Sequence, residues 1–293
     1  MICPNCKHVN NKYHFFYQDS KEADYDLRCT SLQYKKPNLI KCVKCELIFS
    51  ELLNTKFEEL YQDVVDDQYI KSIVFKKKYF INTVSKIQKY LSISNDVLEI
   101  GSYYGVLGSV IKNKVKNYKG IELSKHGAEY SKKNYNLDIE NKTINQYLNN
   151  IEKLDIIIMS HVIEHLDTPF EDIKKIGEKM SSDSVFIFST YNMDSLCAKL
   201  LGKYYHWIMP MHKFYFSKSF LKKFMTDNGL EVVETITDTH TTSLHYFLKK
   251  ISAIIPFLSF ITYPITKIKF LNKIHFKINL GDLDLYVVKK KTV

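Results

Sequence analysis

Apolar positions recur along the chain in two rhythms. Short runs such as Val97-Leu98-Glu99-Ile100 and Asp155-Ile156-Ile157-Ile158-Met159 predict buried strands near 96–100, 118–122, 137–139, 154–159 and 184–189. Between them the spacing becomes helical: Phe80, Val84 and Ile87 predict a helix over about Val74–Tyr90, with others at 105–115 and 125–135. Two later runs, Leu230–Thr235 and Leu283–Lys289, add a sixth and a last strand. Strands alternating with helices predict an α/β fold around a mostly parallel sheet, with ligands at the carboxyl ends of the strands where strand order reverses.

The first strand breaks into a glycine turn. Of nine glycines in 293 residues, Gly101, Gly105 and Gly108 fall within eight positions. Such a turn needs backbone angles that glycine adopts freely, and it lets a ligand approach the main chain. The spacing is G-x3-G-x2-G rather than the dinucleotide G-x-G-x-x-G. Glu99 precedes the turn, and Glu122 ends the next apolar segment, 21 residues after Gly101. A carboxylate there can accept from both hydroxyls of a ribose.

The ordered set Val97-Leu98-Glu99-Ile100-Gly101-Ser102-Tyr103-Tyr104-Gly105, then Glu122, then Asp155 through Leu166, resembles the class I S-adenosylmethionine-dependent methyltransferases of the small-molecule branch (methyltransferase-23-like). The resemblance covers roughly residues 95 to 240, with Tyr103 at the usual middle glycine. It implies a Rossmann-like seven-stranded sheet and S-adenosyl-L-methionine as cofactor. It also implies cofactor contacts from Glu99, Gly101, Ser102, Tyr103, Gly105, Glu122, Leu123, Ser160 and His161.

Methyl transfer to a hydroxyl needs alignment and a proton acceptor, and histidine is poised near neutral pH. His165 and His212 are the candidates, with Glu164 beside them. His212 lies in a segment, His206 to Ser217, that resembles the acceptor side of the branch. It is favoured as base or acceptor ligand, while Glu164 and His165 act in catalysis or anchor their loop. Tyr191-Asn192 stands where the family usually has Pro-Asn. Adenine N6 methylation normally uses an Asn/Asp-Pro-Pro-aromatic turn, and Ser160-His161-Val162-Ile163 stands in its place. Cytosine C5 methylation uses a Cys after Pro, and Cys197 follows Leu196. Both chemistries are disfavoured.

Four of six cysteines form two C-x-x-C pairs, Cys3/Cys6 and Cys42/Cys45. Four thiolates at this spacing suit one tetrahedral, structural Zn2+. Ribbons usually carry glycine after each second cysteine, where Lys7 and Glu46 stand here. Cys29, His8 and His14 are read as bystanders, and Cys197 as a small buried hydrophobe. A front-end ribbon before this cofactor domain resembles bacterial sugar methyltransferases and related polysaccharide-locus enzymes. There the ribbon and a tyrosine-rich link, with Tyr61 and Tyr69 here, help close over the acceptor. The alternative is that these tyrosines simply pack the linker.

Net charge is +10, and the last fifty residues hold nine Lys against two Asp. Arg28 is the one arginine, which argues mildly against nucleic acid. From His245 to Gly281 there are six lysines and no acid, around an apolar stretch, Ile251 to Thr266, interrupted by Pro256 and Pro264. That segment is too short and broken to span a bilayer. It suits either a helical cap over the site or peripheral contact with an anionic membrane. Without a basic start and an apolar stretch at Met1, the expected location is cytoplasmic, with thiols reduced.

The expected organisation is a zinc-ribbon module at 1–50, a helical linker or lid at 51–92, and a methyltransferase domain at 93–293 with the basic apolar insertion at 244–281. The expected activity is methyl transfer to a small sugar-type acceptor of surface polysaccharide synthesis. Two rivals are an RNA methyltransferase, gripping phosphates with ribbon and Lys-rich tail, and a non-catalytic scaffold that keeps the fold.

Overall fold

A computed structural model describes residues 1–9, 11–17, 27–28, 30, 35–254, 259–268, 270–271 and 274–291. Cys29 lies outside them. The chain opens with β1 (Lys12–Phe15), β2 (Leu39–Lys41) and β3 (Ile48–Ser50), then α1 (Phe57–Tyr61), α2 (Asp67–Lys71) and α3 (Ile73–Ile87). There follow β4 (Asp96–Ile100), α4 (Val106–Ile111), β5 (Asn117–Ile121), α5 (Lys125–Tyr135), β6 (Ile139–Glu140), α6 (Ile144–Leu148), β7 (Leu154–Ser160), α7 (Pro169–Lys179) and β8 (Met180–Tyr191). The last part holds α8 (Leu196–Leu201), β9 (Phe214–Tyr215), α9 (Lys218–Asp227), β10 (Leu230–Thr237), β11 (His240–Ser243), α10 (Leu244–Ile254), α11 (Ser259–Thr266), β12 (His275–Ile278) and β13 (Leu283–Lys290).

Seven strands form the main sheet in the order β10-β13-β8-β7-β4-β5-β6. All neighbours from β8 to β6 are parallel, and β13 runs antiparallel between β8 and β10. Strand order therefore reverses between β4 and β7, which puts the crevice at the ends of β4, β5 and β7.

Alternation along the strands explains the layers, because successive side chains point to opposite faces. Leu98, Ile100, Ile157, Met159, Phe186 and Phe188 pack with Ile173 and Ile176 of α7 and with Phe220 and Phe224 of α9. Val97, Ile156, Ile158 and Ile187 pack with Val84 and Ile87 of α3 and with Leu107 and Ile111 of α4. Ile157 is fully buried, so its truncation to Ala should destabilise by about 2–5 kcal/mol. Helix α7 starts where Pro169 needs no N–H partner and Glu171 and Asp172 meet the positive end of the helix.

The front module is not closed on itself. Its sheet runs β1-β2-β3-β9, so a strand from after the main crossover completes it, with Ile48 opposite Tyr215 and Phe49 opposite Phe214. Cys3, Ile40, Cys42, Leu47 and Phe49 share one core with Phe214 and Phe216. Cys197 is half-buried beside Ala198 and Tyr205.

The basic insertion is a pair of helices, α10 and α11, held between the antiparallel arms β11 and β12. Lys277 ties it to α3 by donating to Asn82 at 2.7 Å. Phe260, Ile261, Ile268 and Phe270 are exposed on it. Among the described residues, no helix is long and apolar enough to cross a membrane.

Candidate active site

The glycine turn is welded to its neighbours by backbone bonds. The N–H groups of Gly101 and Ser102 donate to the Ile121 carbonyl at 2.9 and 3.1 Å, which brings the turn against the end of β5. Gly101 has φ +72°, and a Cβ there would collide with Val162 of the loop after β7. Tyr103 takes φ +46° without being glycine. Its N–H donates to Glu122 Oε2 at 2.6 Å, and this charge-assisted bond helps hold the unfavoured conformation. Gly105, at φ +70°, caps α4, where a Cβ would sit 2.6 Å from Ser131 Oγ.

Glu122 is buried. Its other oxygen accepts from the Ser124 N–H at 2.7 Å. Burial pushes its carboxyl up from the usual range, and backbone N–H groups of Ser124, Tyr103 and Leu123 pull the other way. A carboxylate offers about four acceptor positions, so capacity beyond these bonds is left for a ligand. Asn141 braces the strand end by donating to the carbonyls of Glu122 and Leu123 at 2.8 and 2.7 Å. Ser102 Oγ is buried with no hydrogen-bond partner. An orphaned hydroxyl, a turn where side chains would not fit, and a prepositioned carboxylate fit a ribose-bearing cofactor.

The loop after β7 supplies the second half. Ser160 ends the strand with its hydroxyl 3.3 Å from that of Ser189. His161 has φ +54°, and its N–H donates to the Ser189 carbonyl at 3.2 Å. Its Nε2 lies 3.0 Å from the hydroxyl of Tyr79. Glu164 is buried; Thr190 donates to its Oε2 at 3.2 Å, while Oε1 has no hydrogen-bond partner. Burial pushes this carboxyl up to about 8.

His165 and His212 meet edge to face with ring centres 4.6 Å apart. His165 Nδ1 is 3.1 Å from the Met211 carbonyl, and His212 Nδ1 is 2.8 Å from the Trp207 carbonyl. A carbonyl can only accept, so His212 Nδ1 carries the proton and its Nε2 keeps its lone pair, whereas His165 Nδ1 is shared between the Met211 carbonyl and the Tyr61 hydroxyl. Burial lowers His165 to about 4 and pushes His212 well below its ordinary value, so both imidazoles are neutral at pH 7. Ligand atoms of Glu164, His165 and His212 all lie within 4.8 Å of one another.

The structure thus gathers Gly101, Ser102, Tyr103, Gly105, Glu122, Leu123, Ser160 and His161 at the ends of three adjacent strands. Glu99 points elsewhere. Its carboxyl accepts from Tyr118 at 2.5 Å, and the Tyr118 hydroxyl occupies the space left by the missing side chain of Gly108 on α4. Burial pushes it up to about 8. The two linker tyrosines divide the expected roles. Tyr61 reaches His165, with its hydroxyl 3.1 Å from Nδ1, whereas Tyr69 packs edge-on against Tyr103 and stacks on Tyr104.

Three participants escaped the sequence reading. Tyr79 occupies one position of a plain amphipathic helix. Lys213 is buried and pairs with Asp167 at 2.5 Å. Asp66 caps α2 by accepting the Tyr69 N–H at 2.9 Å and also receives the Tyr103 hydroxyl at 3.3 Å. An Asp ahead of a short helical run is a legible cap signal, and it could have marked Asp66.

The four front cysteines converge, with Sγ–Sγ distances of 3.6 Å for Cys3–Cys45 and 3.5 Å for Cys6–Cys42. Tetrahedral ligation at about 2.3 Å per bond separates sulfurs by about 3.8 Å, so the set fits one Zn2+. The two knuckles repeat one backbone pattern. Cys3 N–H donates to the His8 carbonyl and Lys7 N–H to that of Cys3; Cys42 N–H donates to Leu47 and Glu46 N–H to Cys42. Lys7 and Glu46 adopt φ +60° and +62°, the conformation usually left to glycine.

A methyltransferase-domain family model matches residues 75–235, more than half of the chain. No curated protein matches the sequence. Among solved structures, the chain is similar to the YcgJ protein of Bacillus subtilis at 14% identity and a TM-score of 0.52, over 74% of this chain and 99% of that one. It is also similar to a SAM-dependent methyltransferase from Archaeoglobus fulgidus at 20% identity and a TM-score of 0.50, over 77% and 100% of the two chains. These likenesses show the shared fold. Together with the family match over the crevice just described, they establish that the chain belongs to the methyltransferase-domain family and is a methyltransferase.

Proposed function

We propose that the enzyme transfers a methyl group from S-adenosylmethionine to a hydroxyl of a small acceptor, a sugar or sugar-derived intermediate of surface polysaccharide synthesis. The carrying observation is the meeting, at one sheet edge, of the Glu122-braced glycine turn with the Glu164–His165–His212 cluster. When bound, the cofactor supplies the methyl group as an electrophile on a sulfonium. Glu122 holds the ribose hydroxyls, the turn from Gly101 to Gly105 lies against the cofactor, and Ser102, Leu123, Ser160 and His161 border it.

His212 receives the acceptor hydroxyl at Nε2, with His165 and Glu164 beside it. The Tyr191–Trp207 stack, with rings 4.0 Å apart, forms a wall suited to a ring-shaped polar acceptor. Alignment of the reacting atoms supplies most of the rate in such a displacement. The front cysteines hold a structural Zn2+. The exposed apolar residues and lysines of the insertion support peripheral contact with an anionic membrane when the acceptor carries a lipid.

The test is transfer of labelled methyl from S-adenosylmethionine into extracts of the native host lacking this gene, separated into RNA, lipid and sugar-nucleotide fractions. Label in sugar or lipid supports the reading. Label confined to RNA overturns the acceptor class, and no label in any fraction overturns transfer.

A further inference from the structure

We propose that the catalytic edge of the sheet is a docking face for an anionic phospholipid bilayer, formed jointly by α8 and the α10–α11 hairpin, and that the acceptor is a sugar carried on a lipid in that bilayer. Strand β8 runs parallel to β7, so Tyr191 ends it at the edge where the crevice lies, and α8 follows directly. Strand β13 is antiparallel to β8 and starts with Leu283 opposite Tyr191, while β10 ends with Thr237 opposite Asp284. The hairpin therefore leaves and rejoins the sheet at that same edge. The two projections also share a root. The Asn192 N–H donates to the Asp282 carbonyl at 2.8 Å, and the Tyr205 hydroxyl donates to the Asp282 carboxylate at 2.9 Å.

Both projections turn apolar side chains outward. On α8, Leu196 and Leu200 stand one helical turn apart and are 71% and 77% exposed. On α11, Phe260 is 87% exposed with Ile261 exposed beside it. Grouped large apolar side chains in water mark a surface that another molecule or phase covers.

Charge selects the occupant. From Ser195 to Tyr205 there are two lysines, and from His245 to Gly281 six, with no acid in either stretch; Asp194 lies just before the first. Lysines around apolar side chains match an anionic lipid surface, where the ammonium groups stay among headgroups and the apolar groups enter the acyl boundary. A second copy of the chain would bring like charges together across such a face. RNA would satisfy the lysines but leave Leu196, Leu200 and Ile261 in water, because aliphatic side chains offer no ring for a base to stack on.

The purpose of the docking rests on the methyl-transfer reading above. Tyr191 and Trp207, the wall offered to the acceptor ring, flank α8 in the chain, so docking through α8 holds that wall close to the headgroups. The bilayer then supplies part of the orientation that the displacement needs.

The test is flotation of the zinc-loaded, full-length protein with vesicles of phosphatidylglycerol and phosphatidylcholine in equal parts, and with vesicles of phosphatidylcholine alone. Wild type should bind the anionic vesicles roughly tenfold more tightly, and high salt should erase that preference. Leu200→Ser and Phe260→Ser should each weaken binding by about threefold, and together by roughly tenfold. Both side chains are exposed, so an unchanged melting point and unchanged S-adenosylmethionine affinity report an intact fold. No binding at millimolar lipid, equal binding to both kinds of vesicle, or binding equal in wild type and either variant overturns the face. Dimerisation that the double variant abolishes, without vesicle binding, overturns it in favour of a second copy. Failure of wild type to bind S-adenosylmethionine counts against the methyl-transfer reading instead, and flotation still decides the face. In the host-extract assay the label should enter the lipid fraction, and label confined to sugar nucleotides overturns the lipid-borne acceptor.

Discussion

The N–H of Tyr103 donates to the carboxylate of Glu122 at 2.6 Å, tying the glycine turn to the end of the neighbouring strand. One side chain therefore both shapes the turn and faces the crevice. Glu122→Ala should weaken S-adenosylmethionine binding by about 1–3 kcal/mol, the scale for losing a charged hydrogen-bond partner. It should also lower the melting temperature, because Tyr103 would hold φ +46° without that bond. Calorimetric titration beside thermal melting reads both effects. Unchanged affinity with lowered stability would leave Glu122 a purely structural brace.

Glu99 makes the opposite prediction. Its carboxyl is pushed up to about 8 by burial, from an ordinary value near 4.5. Between those values the folded state holds a proton that the unfolded state has released. Its contribution is fully present below about 4.5 and is lost as pH rises through about 8. Glu99→Gln keeps an acceptor for Tyr118 and should flatten the fall in melting temperature over that window. Cofactor affinity should stay within about twofold, since a neutral amide replaces a group facing away from the crevice. A large loss of affinity would put Glu99 back among the cofactor contacts.

The sheet was legible because its strands carry uninterrupted apolar runs, as at Ile156 to Met159, and its helices a plain 3.6-residue period, as at Phe80, Val84 and Ile87. The crevice was legible for a related reason: Gly101, Glu122 and His161 each fall at the carboxyl end of a strand that the apolar pattern predicts. Side-chain direction was less so. Glu99 and Glu122 look alike in sequence, yet one faces α4 and the other the strand ends, and only the glycine at 108 hints at room beneath the helix. The pairing of β3 with β9 joins residues some 165 positions apart, and two-residue strands carry no periodicity to read.

Zinc should leave with the thiolates. Cys42→Ser removes one of four ligands that lie 3.5 to 3.6 Å apart in pairs, so bound zinc should fall by one equivalent per chain. Because Cys3 and Cys42 share a core with Phe49 and Phe214, the melting temperature should fall as well. Elemental analysis with calorimetric melting checks this. A variant that keeps its zinc and its melting point would exclude a structural ion at these cysteines.

Lys213 is the remaining test, because it separates support of the acceptor side from support of the cofactor side. Its ammonium is enclosed, donating to Asp167 at 2.5 Å and to the Leu53 carbonyl at 3.0 Å, over the ring of Phe57. Lys213→Met keeps the stem but strands a carboxylate and a carbonyl, and breaking a buried pair in this way costs about 3 kcal/mol. Pairing it with Asp167→Asn should recover part of that loss, and a double-mutant cycle in urea measures how much. The neighbouring residue is His212, whereas Glu122 stands on the other side of the crevice. The single variant should therefore raise KM for the acceptor while S-adenosylmethionine affinity stays within about twofold. Equal loss on both sides would mean that Lys213 stabilises the whole domain and has no preference for the acceptor half.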